Sequence, residues 1–147
     1  MSEERVRVLD VDDYEDVLDL WQRAELHSLK PLGRDSREAL TRQLQTGVMT
    51  LIGLERGDRL VGAVMATHDS RKGWINRLAV DPDHRRRGYG RRLIRAAEDA
   101  LGSQDIHIIA ALIESDNPAS LALFRKMGYV DAGRRIHYLS KREDDQV

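Results

Sequence analysis

Apolar and polar positions follow two rhythms along this chain, and the rhythm switches where one element gives way to the next. Residues 6–9 read as a short first strand. Tyr14, Val17, Leu18, Leu20 and Trp21 recur at helical spacing, with Asp12 or Asp13 placed to cap the helix. Residues 26–35, with Pro31 and Gly33, read as a loop. Ser36 opens a second helix through Ala39, Leu40 and Leu44, which stops at Gly47. Three strands follow at 48–55, 60–67 and 74–80, joined by turns at 56–58 and 69–73, which predicts an antiparallel meander. The next helix puts Leu93, Ile94, Ala97, Ala100 and Leu101 on one face and Arg92, Arg95, Glu98 and Asp99 on the other, and Gly102 ends it. Residues 106–113 are almost continuously apolar, as expected of a strand buried on both faces and parallel to the 74–80 strand. That makes strand, helix and strand a right-handed crossover. Asn117-Pro118 fits the cap and first position of a last helix ending at Gly128. Residues 129–131 and 135–141 complete the sheet, and the charged tail 142–147 is expected to fray. The order predicts an α+β fold with a mixed sheet.

Chemistry concentrates in residues 74–95, WINRLAVDPDHRRRGYGRRLIR. An apolar strand runs through the Asp81-Pro82 turn into a basic loop, Arg85-Arg86-Arg87-Gly88-Tyr89-Gly90, and a helix starts at once. A helix N-terminus presents unsatisfied N–H groups and a partial positive charge, so this series forms an anion cradle. Gly88 and Gly90 admit left-handed backbone and a close approach, and the arginines add forked hydrogen bonds. The ligand this asks for is phosphorylated. A Walker P-loop fails, because Arg91 and Arg92 follow Gly90 where Lys and Ser or Thr are required. A dinucleotide fingerprint fails because Leu93 stands at its third glycine.

Composition narrows the class. The 147 residues suffice for one domain, residues 1–147, with one core. Lys and Arg number 24 against 25 Asp and Glu, a net charge of −1, so there is no domain-wide nucleic-acid footprint. Tyr89 alone is interleaved with the arginines, too little for a base-stacking platform. No apolar run approaches a membrane span, and Ser2-Glu3-Glu4 is unlike a signal peptide. Without cysteine there is no disulfide, thiolate metal site or cysteine nucleophile, and the five histidines show no i, i+4 pair. A metal-free cytoplasmic protein that binds neither nucleic acid nor membrane is expected.

Two blocks carry a family resemblance. One is Leu78-Ala79-Val80-Asp81-Pro82 followed by Arg85-x-x-Gly88-x-Gly90. The other is Asn117-x-x-Ser120-x-x-x-Phe124-x-x-x-Gly128-Tyr129. Together they resemble the GNAT superfamily, the GCN5-related N-acetyltransferases, over nearly the whole chain and most strongly at 74–130. The resemblance implies the GNAT acyl-CoA N-acyltransferase fold, a mixed, mostly antiparallel sheet of six to seven strands with about four helices. It implies acetyl-CoA as acyl donor and an amine acceptor. Leu78, Ala79 and Val80 would hold the pantetheine through their backbone, and the N–H near Leu78 would polarise the acetyl carbonyl. Arg85 takes the motif's first basic position. Arg86, Arg87, Gly88, Tyr89, Gly90 and Arg91 would wrap the pyrophosphate, and one of Arg91, Arg92 and Arg95 would reach the ribose 3′-phosphate. Asn117 would serve as a cap, as a ligand contact, or as both. A homodimer through terminal strands also follows by analogy.

The departure is Phe124, where many members place a tyrosine that protonates the leaving thiolate. Phe124 can still pack against the sulfur end of the pantetheine, and Tyr138 or Tyr129 is the substitute acid to consider. A thiol pKa near 8.5 lies about 1.5 units above neutrality, roughly 2 kcal/mol, so the acid is dispensable. Strand alternation puts Glu114 on the face of Leu112, as a base or simply as an exposed carboxylate, with Asp69 and His68 behind it. A lysine-type amine costs about 4.6 kcal/mol to deprotonate at pH 7 and an α-amine about 1 to 1.4, so a site without a strong base favours the α-amine. Loop 26–35 would shape the acceptor pocket, and His27, Lys30 and Arg34 hint at an anionic group on the acceptor. The rival readings are an acyl-CoA-binding sensor with little catalysis and an acyltransferase using another acyl-CoA.

Overall fold

Hydrophobic residues from both faces of one sheet make two cores, and the helices divide between them. The structure, a computed structural model, describes residues 3–26, 28–133 and 135–147. The strands are β1 (Glu4–Val8), β2 (Met49–Arg56), β3 (Arg59–His68), β4 (Gly73–Val80) and β5 (Ile109–Ala111). The helices are α1 (Tyr14–Arg23), α2 (Arg37–Gln45), α3 (Tyr89–Gly102) and α4 (Pro118–Lys126). The strand order is β1-β2-β3-β4-β5. The first three pairings are antiparallel and β4 pairs β5 in parallel, with α3 as the crossover.

On one face Val61, Val64, Ile75, Leu93, Ile94, Ala97, Leu101 and Phe124 pack under α3 and α4. On the other, Leu9, Val17, Leu20, Trp21, Leu40, Leu51, Ala63, Met65 and Ala79 pack under α1 and α2. A fully buried Leu such as Leu93 contributes about 1.5–3 kcal/mol by leaving water. Of these, Val17, Leu20, Trp21, Leu40, Leu93, Ile94, Ala97 and Leu101 are side chains that the helical rhythm picks out.

Local signals hold in part. Ser36 caps α2, its Oγ accepting from the Ala39 N–H at 3.1 Å. Asp13 is the N-cap of α1 but makes no side-chain cap bond to it; the capping side chain lies before the preceding 3-10 turn, on Asp10. Its carboxylate accepts from the Asp12 N–H, Asp13 accepts from the Asp10 N–H at 3.0 Å, and a short 3-10 turn leads into the helix. Gly57 takes φ +64° at the first position of the two-residue β2–β3 turn.

Among the described residues the sheet has five strands, not six to seven. The 106–113 strand shrinks to Ile109–Ala111, because Ile106 is spent on the core and its N–H caps the Leu101 carbonyl at 3.1 Å. Residues 129–131 form no strand. The Tyr129 N–H caps α4 at the Phe124 carbonyl, and Asp131 accepts from the Gly133 N–H and from Arg125. Described residues of 135–141 form none either. Ile136, Tyr138 and Leu139 are exposed, so no buried face selects a register. The tail expected to fray lies against the 26–35 loop. A Cβ on Gly33 would come within 2.1 Å of the Gln146 carbonyl oxygen.

Candidate functional site

The cradle sits where β4 ends. Asp81 is 1% exposed and fixes the turn from three sides. Its N–H donates to the Val61 carbonyl, its Oδ1 accepts from the Asp83 N–H at 2.8 Å, and its Oδ2 accepts from Arg23 of α1. Burial pushes the Asp81 pKa up, but the Asp83 N–H, Arg23 and His84 outweigh it, and the net shift is downward. In the sequence Asp81 is legible only as a turn and motif residue, because Arg23 and Val61 lie far from it in the chain.

Beyond it the backbone turns left-handed twice, at Arg86 (φ +63°) and Gly88 (φ +77°). Gly88 is the N-cap of α3 and brings no side chain to cap the helix, so the first N–H groups of α3 stay free of side-chain caps. No atom lies within 4 Å of a Cβ built on Gly88. A Cβ on Gly90 would meet Leu123 of α4 at 2.9 Å, so this glycine lets α4 approach. No acidic residue stands in the first turn of α3, where Arg91 and Arg92 do. Cations there oppose the helix dipole, and an anion in the cradle would relieve the conflict.

The predicted cradle residues divide. Among the described residues Arg85, Arg86, Arg87, Arg91 and Arg95 have no carboxylate in salt-bridge range, whereas Arg92 is held by Glu4 at 2.7 Å. The Tyr89 side chain is not part of the cradle. It is 2% exposed, packs in the α3 core and donates its hydroxyl hydrogen to Glu4, so only its backbone can face an anion.

Beside the cradle the sheet opens. β4 meets β5 only from Gly73 to Ile75, so the β5-side edge of residues 76–80, which includes Leu78, Ala79 and Val80, has no strand partner among the described residues. β4 also carries an extra residue. Met65 pairs with Asn76 but Ala63 pairs with Ala79, and Arg77 takes φ +54°. Asn76 and Arg77 therefore both face α1 and α2. Asn76 donates to Thr67 Oγ1 at 3.3 Å, while Arg77 reaches Ser28 and Asp35. Leu78 and Val80 return to the α3 core. Two adjacent polar residues amid apolar ones were the one sequence signal for this bulge.

The 26–35 loop reaches the bulge through those contacts. Asp35 is 5% exposed, accepts from Arg77 Nη2 and from the Lys30 N–H at 2.8 Å each, and its carbonyl accepts from the Tyr14 hydroxyl at 2.7 Å. Arg34 donates to the Ser28 carbonyl at 3.2 Å, and burial and then Arg77 lower its pKa. His27 lies outside the described residues.

The catalytic candidates are less gathered. Glu114 is exposed and three residues beyond the end of β5, so strand alternation does not set its direction. Asn117 caps α4, its Oδ1 accepting from the Ser120 N–H at 3.2 Å. Phe124 is buried and stands edge-on to Tyr129 at 4.9 Å. The Tyr129 hydroxyl donates to Glu98 at 2.8 Å, and burial and then that bond drive its pKa upward, which makes it a poor proton donor. Tyr138 is 68% exposed. His68 Nδ1 accepts from the Ser70 N–H, and Asp69 accepts from Arg71 and Lys72, so both belong to the β3–β4 turn. A polar groove of about 350 Å³ between α1 and the β2–β3 turn is lined by Asp16, Asp19, Arg23, Asp58, Arg59 and Leu60, and none of these is in the cradle. Among the described residues no cluster of three or more His, Asp or Glu could hold a metal, and no helix is long and apolar enough to cross a membrane.

Residues 14–129, from α1 through the cradle to the Tyr129 cap, match the family model described as the acetyltransferase (GNAT) family. The chain belongs to that family. An acetyltransferase of Photorhabdus laumondii is 31% identical to this GNAT chain over 137 residues, covering 93% of it and 94% of the relative. Among solved structures, the PaiA N-acetyltransferase of Thermoplasma acidophilum in complex with coenzyme A superimposes with a TM-score of 0.73. It is 17% identical and covers 86% of this chain and 89% of its own. The ribosomal-protein-S18-alanine N-acetyltransferase of Escherichia coli gives a TM-score of 0.74 at 20% identity, covering 88% of this chain and 79% of its own. These likenesses show the GNAT fold, which here carries a five-stranded sheet among the described residues.

Proposed function

We propose that this chain, a single acetyltransferase domain, transfers an acetyl group from acetyl-CoA to a primary amine, with an α-amine as the preferred acceptor. The observation that carries the donor is the bare N-terminus of α3. Its N–H groups open beside Gly88, arginines without carboxylate partners surround it, and an unpaired strand edge leads away from it. The coenzyme A bound to the Thermoplasma relative supports the same reading.

In this reading the amides around Gly88 and Gly90 hold the pyrophosphate, with Arg85, Arg86, Arg87 and Arg91 adding charge. The free edge at Leu78, Ala79 and Val80 pairs with the pantetheine, and the Leu78 amide polarises the thioester carbonyl. The amine attacks from the side of loop 26–35, the carbon–sulfur bond breaks, and the thiolate leaves with the coenzyme. Tyr129 is committed to Glu98, so the thiolate takes its proton from water or from Tyr138. Glu114 or water accepts the proton of the amine. The weak base favours acceptors already partly neutral near pH 7. The Escherichia coli neighbour, named for acetylating an alanine of a ribosomal protein, supports an α-amine. Cytoplasmic location and pairing into homodimers belong to the same proposal.

Phe124 favours one rival, a sensor that binds acyl-CoA without turning it over. Thiol release measured across a panel of α- and ε-amines separates the two. Release with α-amines ahead of lysine side chains is expected, and tight acetyl-CoA binding with no release would establish the sensor. Gly88→Val forces a branched side chain into a left-handed position at the cradle. Calorimetry should show acetyl-CoA affinity falling by about tenfold or more, with circular dichroism unchanged. Undiminished affinity would place the phosphates elsewhere.

A further inference from the structure

We propose that Arg77 is a positioning residue: pinned to Asp35 and Ser28, it holds β4 in its bulged register and so sets the free amide edge at Leu78 that the thioester uses. The inference rests on the acetyl-CoA reading above. Strict alternation without the extra residue would turn residue 77 to the face of Ile75, into the core of Leu93 and Ile94. An unpaired guanidinium there is prohibitively costly. The bulge sends it the other way, toward α1, where the pocket for it is complete. Arg77 Nη2 meets Asp35 Oδ2 at 2.8 Å and the Ser28 carbonyl at 3.3 Å, Nη1 meets the Ser28 hydroxyl, and the guanidinium carbon stands 6.0 Å from the centre of the Trp21 ring.

Stability alone is a weak reason for this pair. The Arg77 and Asp35 side chains are 13% and 5% exposed, and an apolar pair of equal volume would serve folding as well, because both charges have lost water. What the pair adds is direction. It joins the loop of the acceptor side to the one residue of β4 whose φ is left-handed. Leu78 follows directly, and its side chain can return to the α3 core only if residue 77 has turned away. Loop order and the aim of the Leu78 amide are then one state, and loosening the loop lets the bulge relax.

The test uses acetyl-CoA labelled with 13C at the thioester carbonyl, bound to the wild-type protein and to Arg77→Met, Arg77→Lys and Asp35→Asn. The infrared carbonyl band should lie below that of free acetyl-CoA in the wild type. It should return toward the free value in Arg77→Met and fall between in Arg77→Lys and Asp35→Asn, the second of which keeps an acceptor for Arg77 but not the charge. Calorimetric affinity should change less than about threefold, because the cradle is untouched. With any amine the wild type turns over, kcat should fall by about tenfold or more while KM for acetyl-CoA holds. A wild-type band shift retained in Arg77→Met overturns the proposal, as does a bound wild-type complex with no shift. If Arg77→Met does not fold, Asp35→Asn decides by whether its band moves part of the way, since its amide oxygen can keep the bonds from Lys30 N–H and Arg77 while the charge is lost. Absence of acetyl-CoA binding to the wild type, read by calorimetry, would overturn the donor reading and this inference with it.

Discussion

Tyr129 shows how a single side chain can be removed from chemistry by its surroundings. Its ring closes on Phe124 and its hydroxyl on Glu98, and both contacts favour the neutral phenol. A folded-state pKa raised above the unfolded value of about 10 contributes stability below pH 10 that is lost as pH climbs past it. Tyr129→Phe should cost about 1 kcal/mol at pH 7 through the lost hydrogen bond. It should also flatten the alkaline loss, so the urea midpoints of variant and parent draw together between pH 7 and pH 10.5. A gap that widens with pH would mean that Tyr129 is not held neutral. The phenylalanine four residues before Gly128 was visible in the sequence. The fate of Tyr129 was not, because Glu98 belongs to another helix.

Elements whose signals are local were legible. The α3 stripe of Leu93, Ile94, Ala97 and Leu101 is buried as its spacing predicts, and Asn117-Pro118 caps α4 as its chemistry predicts. Asn117 also lets capping be separated from ligand contact. Asn117→Ala should lower stability by about 1 kcal/mol, seen as a lower melting temperature, with acetyl-CoA affinity unchanged. A matching loss of affinity would show the side chain at the ligand. What depends on pairing was not legible. The β4 bulge is defined by which residues of β3 face it, and the Arg77–Asp35 pair spans 42 positions of sequence. The strands expected at 129–131 and 135–141 had suitable residues, but helix caps, turns and missing cover claimed them. The left-handed turn at Gly88 and the start of α3 directly after it were readable at the backbone level, whereas Tyr89 and Arg92 were assigned outward and turn instead to Glu4.

At the scale of the molecule, a nearly neutral chain keeps a concentrated positive face at one helix end and, beside it, a strand edge left unpaired where β4 and β5 cease to pair. A ligand that pairs with this edge completes hydrogen bonding that the strands leave unmade. A ligand at about 100 times its Kd adds roughly 2.7 kcal/mol to unfolding, or several degrees of melting temperature at this size. Limited proteolysis with and without acetyl-CoA should therefore show cleavage slowing as donor is added, with inorganic phosphate giving only a fraction of the protection. Equal rates would mean that the unpaired edge is stable without a ligand. In a cell the lifetime of such a protein would track its fuel: starvation for acetyl groups would thin out the catalyst along with the substrate, with no dedicated regulator required.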